Sequence, residues 1–456
     1  MDLTATPNAN RRFARWLGAT GCDRAGVCSL PLSGNTTITA AFEGGATLSD
    51  TDLSGNAGVY DLVAYTDDSL IVLSSFTGTI DLGDGDPISE ANGRTFLAKF
   101  SSTGSLTWKH VFPTGGQNGN FTYAQCLTVS GGDIVCIGGF SDAVDFGSGP
   151  VDGNRIFSPF LARFAAESGA LVWLRTFSPT GTTLGIPAVG TDGTNLYVAI
   201  TYDGALTFDS SHTLPSTASD TVLVKYGATN SPPNVTAISA VLGGSIETAA
   251  TASDGTTALV FRVRSTSTQF GASFYSSSQV SHAVGWLSTS FGQVDSRGFA
   301  SLQPDLFKSV RDAGKNLVIT GRFQGTTDLG KGSVAAGAFG SVFVAKYDAS
   351  HNPVFANSYA CLPGDLIQAL GVDSDSDIFF AGSTHGSAGH PALDFGGGSL
   401  SAEDGVMRNF ATKLNPAGTY VWSRLVDFVP NRITGGSSSS AWLSAIGDTD
   451  WTHLSP

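Results

Sequence analysis

A short strand pattern recurs six times along the chain at a spacing of about 60 residues: TFLAKF (Thr95 to Phe100), PFLARF (Pro159 to Phe164), TVLVKY (Thr221 to Tyr226), HAVGWL (His282 to Leu287), VFVAKY (Val342 to Tyr347) and NFATKL (Asn409 to Leu414). Self-similarity at a fixed period means that one supersecondary unit is repeated and completes its core against its neighbours. This period restricts the fold more than any other feature of the chain.

The best-formed unit, Trp108 to Phe164, contains separate strand signals divided by turn chemistry. LTWKHVF (Leu106 to Phe112) comes first, then AQCLTV (Ala124 to Val129), an SGGD turn, DIVCIGGF (Asp133 to Phe140), VDFG (Val144 to Gly147) and finally FLARF. Short antiparallel strands repeated around a ring are the pattern of β-propeller blades. On this reading the Trp strand opens each unit and the Lys/Arg strand closes it at the outside.

Two further anchors keep the same register. Asp/Gly/Asn-rich hairpins recur from Thr66, Ser130, Thr191, Ser253, Asp312, Asp373 and Gly447, the composition that supplies positive φ and side-chain capping. After the next strand come Asp81, Asp145, Thr207, Gln269, Asp328 and Asp394, at intervals of 64, 62, 62, 59 and 66 residues. The expectation is an all-β chain, a propeller of four-stranded antiparallel blades. Seven blades are expected from the first-strand anchors, with eight as the alternative from the third strands, where TITAAFEGGATL (Thr37 to Leu48) adds one to the seven hairpins above. A flexible arm at 1–10 would precede a single domain at 11–456. The last unit stops short, so the ring is expected to close by mixing N- and C-terminal strands, which removes exposed sheet edges.

Glycine is frequent (57 residues), charged residues make up 14% and the hydrophobic fraction is 41%, which suits a packed β protein. A net charge of −14 argues against a nucleic-acid partner, since phosphate binding runs on clustered Lys and Arg. No apolar run approaches the ~20 residues of a membrane-spanning helix. The start, MDLTATPNANRRFARW, lacks the apolar segment of a signal peptide.

FVAKYDASHNPVFANSY (Phe343 to Tyr359), ALGVDSDSDIFFAGS (Ala369 to Ser383) and LDFGGGSL (Leu393 to Leu400) together resemble the SBBP β-propeller repeats of bacterial cell-surface and secreted proteins. The resemblance implies an exported bacterial protein and brings no uniform catalytic residues with it. With the low charge and the Gly/Ser/Thr-rich strands, it makes a mature secreted or surface chain, its signal absent from this sequence, the expected localisation.

Several residue sets invite a functional reading, and each has a plainer one. Trp16, Trp108, Trp173 and Trp422 recur at one register position, which favours packing between blades over sugar stacking. Lys99, Arg163, Lys225, Lys346 and Lys413 read as charges on an outer strand that prevent edge pairing. Asp373, Asp375 and Asp377 have the alternate-carboxylate spacing of calcium loops, although turn capping is the commoner use of such residues. Calcium is therefore the one cofactor candidate. His385 and His390 sit in a lengthened hairpin with no further metal ligands in view. Cys126 and Cys136 face one another across a hairpin and Cys22 and Cys28 flank a short loop, so each pair is a candidate disulfide. Cys361 would be left over, a candidate point of covalent assembly.

G-x-S-x-G, H-E-x-x-H, C-x-x-C and Walker glycine patterns are all missing from the sequence. The expected function is a non-enzymatic binding or assembly scaffold for protein or glycan partners, presented on variable loops. The divergent connections Pro113 to Thr122, Thr201 to Ser219, Thr229 to Val241 and Thr384 to Ala392 are the expected contact segments. An enzyme with a central-channel active site and a calcium-dependent lectin are the alternatives.

Overall fold

The computed structural model describes residues 2–4, 11–17, 27–29, 39–44, 58–445 and 451–454, apart from loops at 66–68, 102–104, 113–120, 129–131, 141–142, 154–157, 178–183, 210, 228–233, 243, 265–266, 304–306, 386–392, 401–406, 427–428 and 436–440. Every regular element among the described residues is a β-strand. Six four-stranded antiparallel blades follow in chain order.

Blade 1 comprises Gly58–Ala64, Leu70–Ile80, Ile88–Phe100 and Leu106–Phe112; blade 2 Phe121–Thr128, Ile134–Phe140, Ser158–Phe164 and Leu171–Thr176. Blade 3 comprises Leu184–Thr191, Asn195–Thr207, Thr213–Gly227 and Asn234–Leu242; blade 4 Gly244–Thr251, Thr257–Val263, His282–Leu287 and Gln293–Phe299. Blade 5 comprises Lys308–Arg311, Leu317–Phe323, Ser341–Tyr347 and Pro353–Ala360; blade 6 Leu366–Val372, Ile378–His385, Met407–Leu414 and Tyr420–Val426.

A three-stranded sheet of Pro430–Gly435, Ala441–Ala445 and Trp451–Leu454 comes last. Its first strand lies between the inner strands of blades 6 and 1, where the Ala64 amide donates to Thr434 Oγ1 at 3.4 Å. The close approach needs glycine: a Cβ on Gly435 would collide with the Val372 carbonyl. Among the described residues there are thus six complete blades, where seven or eight were expected. The C-terminal sheet fills the remaining place with three strands. Among the described residues the expected N-terminal strand does not join this sheet: Arg11–Leu17 pairs with Thr39–Gly44, and Asp2–Thr4 pairs with Val27–Ser29.

The phase of the repeat differs from the expected one by one strand. Each blade opens on the strand after a Trp strand and closes, at its outer edge, on the Trp strand that begins the next sequence unit. The Lys/Arg strand is thus third, enclosed on both edges. Its burial confirms this: SVFVAKY is buried at every position, whereas the fourth strand PVFANSY is mostly half-exposed. Second and third strands read as continuous apolar runs because both faces meet neighbouring blades.

Shared cores form between successive blades. Phe140, Phe146 and Phe160 of blade 2 join Ile71, Leu73 and Leu97 of blade 1, and equivalent clusters span blades 2–3, 3–4, 4–5 and 5–6. Ile433, Ala441 and Leu443 of the C-terminal sheet pack on Phe379 and Ala411 of blade 6.

The D-x-G-x-G turn after the second strand repeats in detail. The Oδ1 atoms of Asp81, Asp145, Asp328 and Asp394 each accept the amides of the glycines two and four residues on, at 2.7–3.3 Å. Both glycines of each turn have positive φ, so the pattern needs glycine at those places. Blade 4 has Gln269 instead, and its hairpin Thr268–Phe270 adds to the outer strand of blade 3 through Val241↔Phe270.

Candidate functional site

The Lys/Arg of the third strand is an interblade tie, and this overturns its reading as an edge charge. Lys346 and Lys413 are each 3% exposed. Lys346 Nζ meets Asp312 Oδ2 at 2.8 Å and Lys413 Nζ meets Asp377 Oδ2 at 2.6 Å, both acids from the hairpin joining the first two strands of the same blade. Arg163 pairs likewise with Asp133 at 2.8 Å. Ammonium groups at this position also reach the next blade's outer hairpin: Lys99 Nζ to the Ala166 carbonyl, Lys225 Nζ to the Thr289 carbonyl and Lys346 Nζ to the Pro416 carbonyl, at 3.5, 2.9 and 3.1 Å.

The fourth-strand residue opposite this third-strand position, which is a cation in every blade but the fourth, is Trp108, Trp173, Ala237, Asp295, Phe355 and Trp422 in blades 1 to 6. Where it is aromatic and the next outer hairpin is described, that hairpin has a left-handed glycine beneath the ring. A Cβ on Gly169 would lie 2.5 Å from Trp108, and one on Gly418 2.6 Å from Phe355. Where it is not aromatic, the next blade supplies a ring from that left-handed position: Phe291 (φ 64) against Tyr197, and His351 (φ 68) against Trp286. A left-handed non-glycine residue costs roughly 1–2 kcal/mol, so the ring contact must offset strain.

The boundary between blades 4 and 5 departs furthest. Trp286 replaces the cation, Asp295 replaces the outer aromatic, and a cavity of about 350 Å³ remains between the hairpins. Arg311 and Lys315 of blade 5 face Asp254 of blade 4 across it, with His351, Ser288 and Thr289 completing the polar wall. Leu287, Val294 and Ala349 supply its apolar wall.

Lys315, at φ 63 where blade 4 has Gly255, pairs with Asp254 at 2.9 Å. Burial raises the Asp254 pKa, but the Thr256 hydroxyl and amide and the Lys315 ammonium outweigh it and hold it at about 2. Arg311 makes one hydrogen bond, Nη1 to the Lys315 carbonyl at 2.8 Å; its Nε is buried without a partner, and it forms no ion pair among the described residues. Burial lowers its pKa to about 10, against the pull of Asp254 and Asp312. His351 stacks on Trp286 with Nδ1 3.6 Å from Asp295 Oδ2, and burial with the Arg311 charge lowers its pKa.

The structure assigns the residues singled out from sequence to different tasks. Asp373 Oδ1 caps its own turn through the amides of Asp375 and Asp377 at 3.0 and 2.9 Å, while Asp377 turns to Lys413. Burial raises the Asp373 pKa. Among the described residues no three His, Cys, Asp or Glu side chains gather as a metal set. Cys126 and Cys136 form a disulfide between the first two strands of blade 2. Cys22 lies outside the described residues, as does His390. Cys361 is a free thiol only 6% exposed, so its expected role in covalent assembly is corrected: it packs in the core between blades 5 and 6. His385 donates its amide to Asp365.

Trp108 and Trp173 are interblade core residues, with the Trp108 indole also donating to the Ala166 carbonyl at 3.0 Å. The side chain of Trp16 is outside the described set. Of the four divergent connections, 113–120, 228–233 and 386–392 are outside it too. Thr201 to Ser219 is a long hairpin, paired out to Thr207↔Thr213 and closed by Asp209, which accepts the amides of Ser211 and His212.

Sequence reasoning missed the cavity residues Arg311, Lys315 and His351, and Trp286 and Asp295, which contact His351. The available signal was the joint loss, in one unit, of the cation and of the outer aromatic.

No family model matches the chain, and no curated protein does. The SBBP likeness therefore finds no further support. Among solved structures, BamB from Moraxella catarrhalis is similar at 10% identity over 87% of this chain and 84% of its own, with a TM-score of 0.37. The Hadza microbial sialidase Hz136 is similar at 10% identity over 94% and 71%, with a TM-score of 0.43. The exotype rhamnogalacturonan lyase YesX is similar at 10% identity over 93% and 79%, with a TM-score of 0.42. Likenesses this distant carry no argument about what this chain binds or does.

Proposed function

We propose that the protein is an exported, non-enzymatic binding scaffold for protein or glycan partners, with the cleft between blades 4 and 5 as its principal small-group subsite. The observation behind this reading is the local replacement of the interblade packing seen elsewhere by a polar cavity, at the cost of left-handed Lys315 and His351. Rigid β scaffolds with local departures are a common way of building binding surfaces. The Cys126–Cys136 disulfide favours an oxidising compartment.

The test is a binding screen of the immobilised protein against glycans and extracellular peptides, run beside turnover assays on the same compounds. Saturable binding without product supports the scaffold. Product formation that follows the protein through purification would replace it with the enzyme reading.

A further inference from the structure

Resting on that reading, we propose that the blade 4–5 cavity receives a monocarboxylate on a body of one sugar or one amino-acid residue, with Arg311 as the carboxylate partner. Four other cations of this interblade layer are matched by a carboxylate, Lys346 by Asp312, Lys413 by Asp377, Arg163 by Asp133 and Lys315 by Asp254, while Lys99 and Lys225 lie over tyrosine rings and donate to carbonyls. Arg311 lines the cavity with one hydrogen bond, to a carbonyl, and no carboxylate. Asp254 and Asp312 act on this largely buried guanidinium without a direct ion pair, and an entering carboxylate would add the charge-assisted bonds it lacks.

The other walls narrow the ligand further. Asp254 holds a full negative charge beside Arg311, so a dianion such as a phosphate monoester would be repelled. The hydroxyls of Thr256, Ser288 and Thr289 offer hydrogen bonds to a hydroxylated or amide-bearing body, and Leu287, Val294 and Ala349 offer an apolar side. About 350 Å³ is at the small end for ligand cavities, which run roughly 300–1,000 Å³, and suits one residue rather than a polymer segment. The carboxylate could belong to a uronic acid or to a free amino-acid terminus, which share this chemistry.

The experiment is titration calorimetry of the intact protein with glucuronate and with N-acetylglycine, against glucose, N-acetylglycinamide and inorganic phosphate. The expected result is saturable binding of at least one carboxylate, none of its neutral counterpart, and at least a tenfold loss in Arg311→Gln. Preference for glucuronate or for N-acetylglycine identifies the source. Arg311→Lys, which keeps the charge, is expected to bind more weakly than wild type yet better than Arg311→Gln, and thermal melts establish that both variants fold. Unchanged binding in folded Arg311→Gln, or no binding of either carboxylate, overturns the inference. In that second case, capture of neutral glycans or peptides in the wider screen would leave the scaffold reading standing.

Discussion

Lys346 Nζ of the third strand of blade 5 lies 2.8 Å from Asp312 Oδ2 of the hairpin between that blade's first two strands, with both side chains almost wholly buried. The ammonium also donates to the Pro416 carbonyl of blade 6, so one side chain ties a blade together and fastens it to its neighbour. Breaking one partner of a buried pair strands the other charge, at about 3–5 kcal/mol. Lys346→Met is therefore expected to lose about that much in equilibrium urea unfolding. A loss below about 1 kcal/mol would reduce the tie to the worth of a surface pair.

His282 gives an acid-sensitive element. It is 1% exposed, both ring nitrogens are buried without partners, and its ring lies 4.7 Å from that of Phe307. Burial and the nearby Arg262 charge lower its pKa from 6.5 to about 4. The unfolded chain thus binds a proton that the folded chain refuses over this window. Stability is full above pH 6.5 and falls as pH drops towards 4, by about 3 kcal/mol from this residue. His282→Phe is expected to flatten the difference between unfolding curves at pH 7 and pH 5. An unchanged difference would place the acid sensitivity elsewhere.

The cysteines predict contrasting chemistry. The Cys126–Cys136 bridge closes a loop of sequence separation 10, for which the loss of unfolded-state freedom contributes about 2–3 kcal/mol. Cys126→Ser with Cys136→Ser is expected to lose that amount. Cys361 is buried and its thiol pKa is raised, chiefly by desolvation, so native alkylation should leave it unmodified until the protein is denatured. Rapid native labelling of Cys361, detected by peptide mass analysis, would contradict its burial.

The fold was legible because the Lys/Arg strand and the D-x-G-x-G turn are local and repeat in every regular unit. Asp145 with Gly147 and Gly149 carries its whole turn within five residues of sequence. The phase was not legible, since a tandem repeat looks alike from any starting strand and only lateral packing decides which strand lies inside. The ties of Lys99, Lys225 and Lys346 join residues 64 to 70 positions apart, beyond any pattern within one unit. The cavity was hidden for the opposite reason. HAVGWL looked like a decayed copy, while the exchange of Asp295 for an aromatic and of glycine for His351 has meaning only across the blade 4–5 boundary.

That exchange makes a direct prediction. At the blade 5–6 boundary Phe355 of the outer strand lies over Gly418; at blade 4–5 the corresponding residues are Asp295 and His351. Asp295→Phe alone places a second ring against His351 and should destabilise. His351→Gly alone relieves a left-handed side chain but uncovers Trp286, losing an aromatic contact of roughly 0.5–1.5 kcal/mol. The double variant rebuilds the regular packing and is expected to be at least as stable as the wild type, a favourable coupling of about 1–3 kcal/mol in a double-mutant cycle. Because His351 lines the cavity, the double variant should also bind the carboxylate more weakly. Additive single effects would mean that the two positions do not share one packing site, and undiminished binding in a stabilised double variant would separate ligand recognition from the cavity.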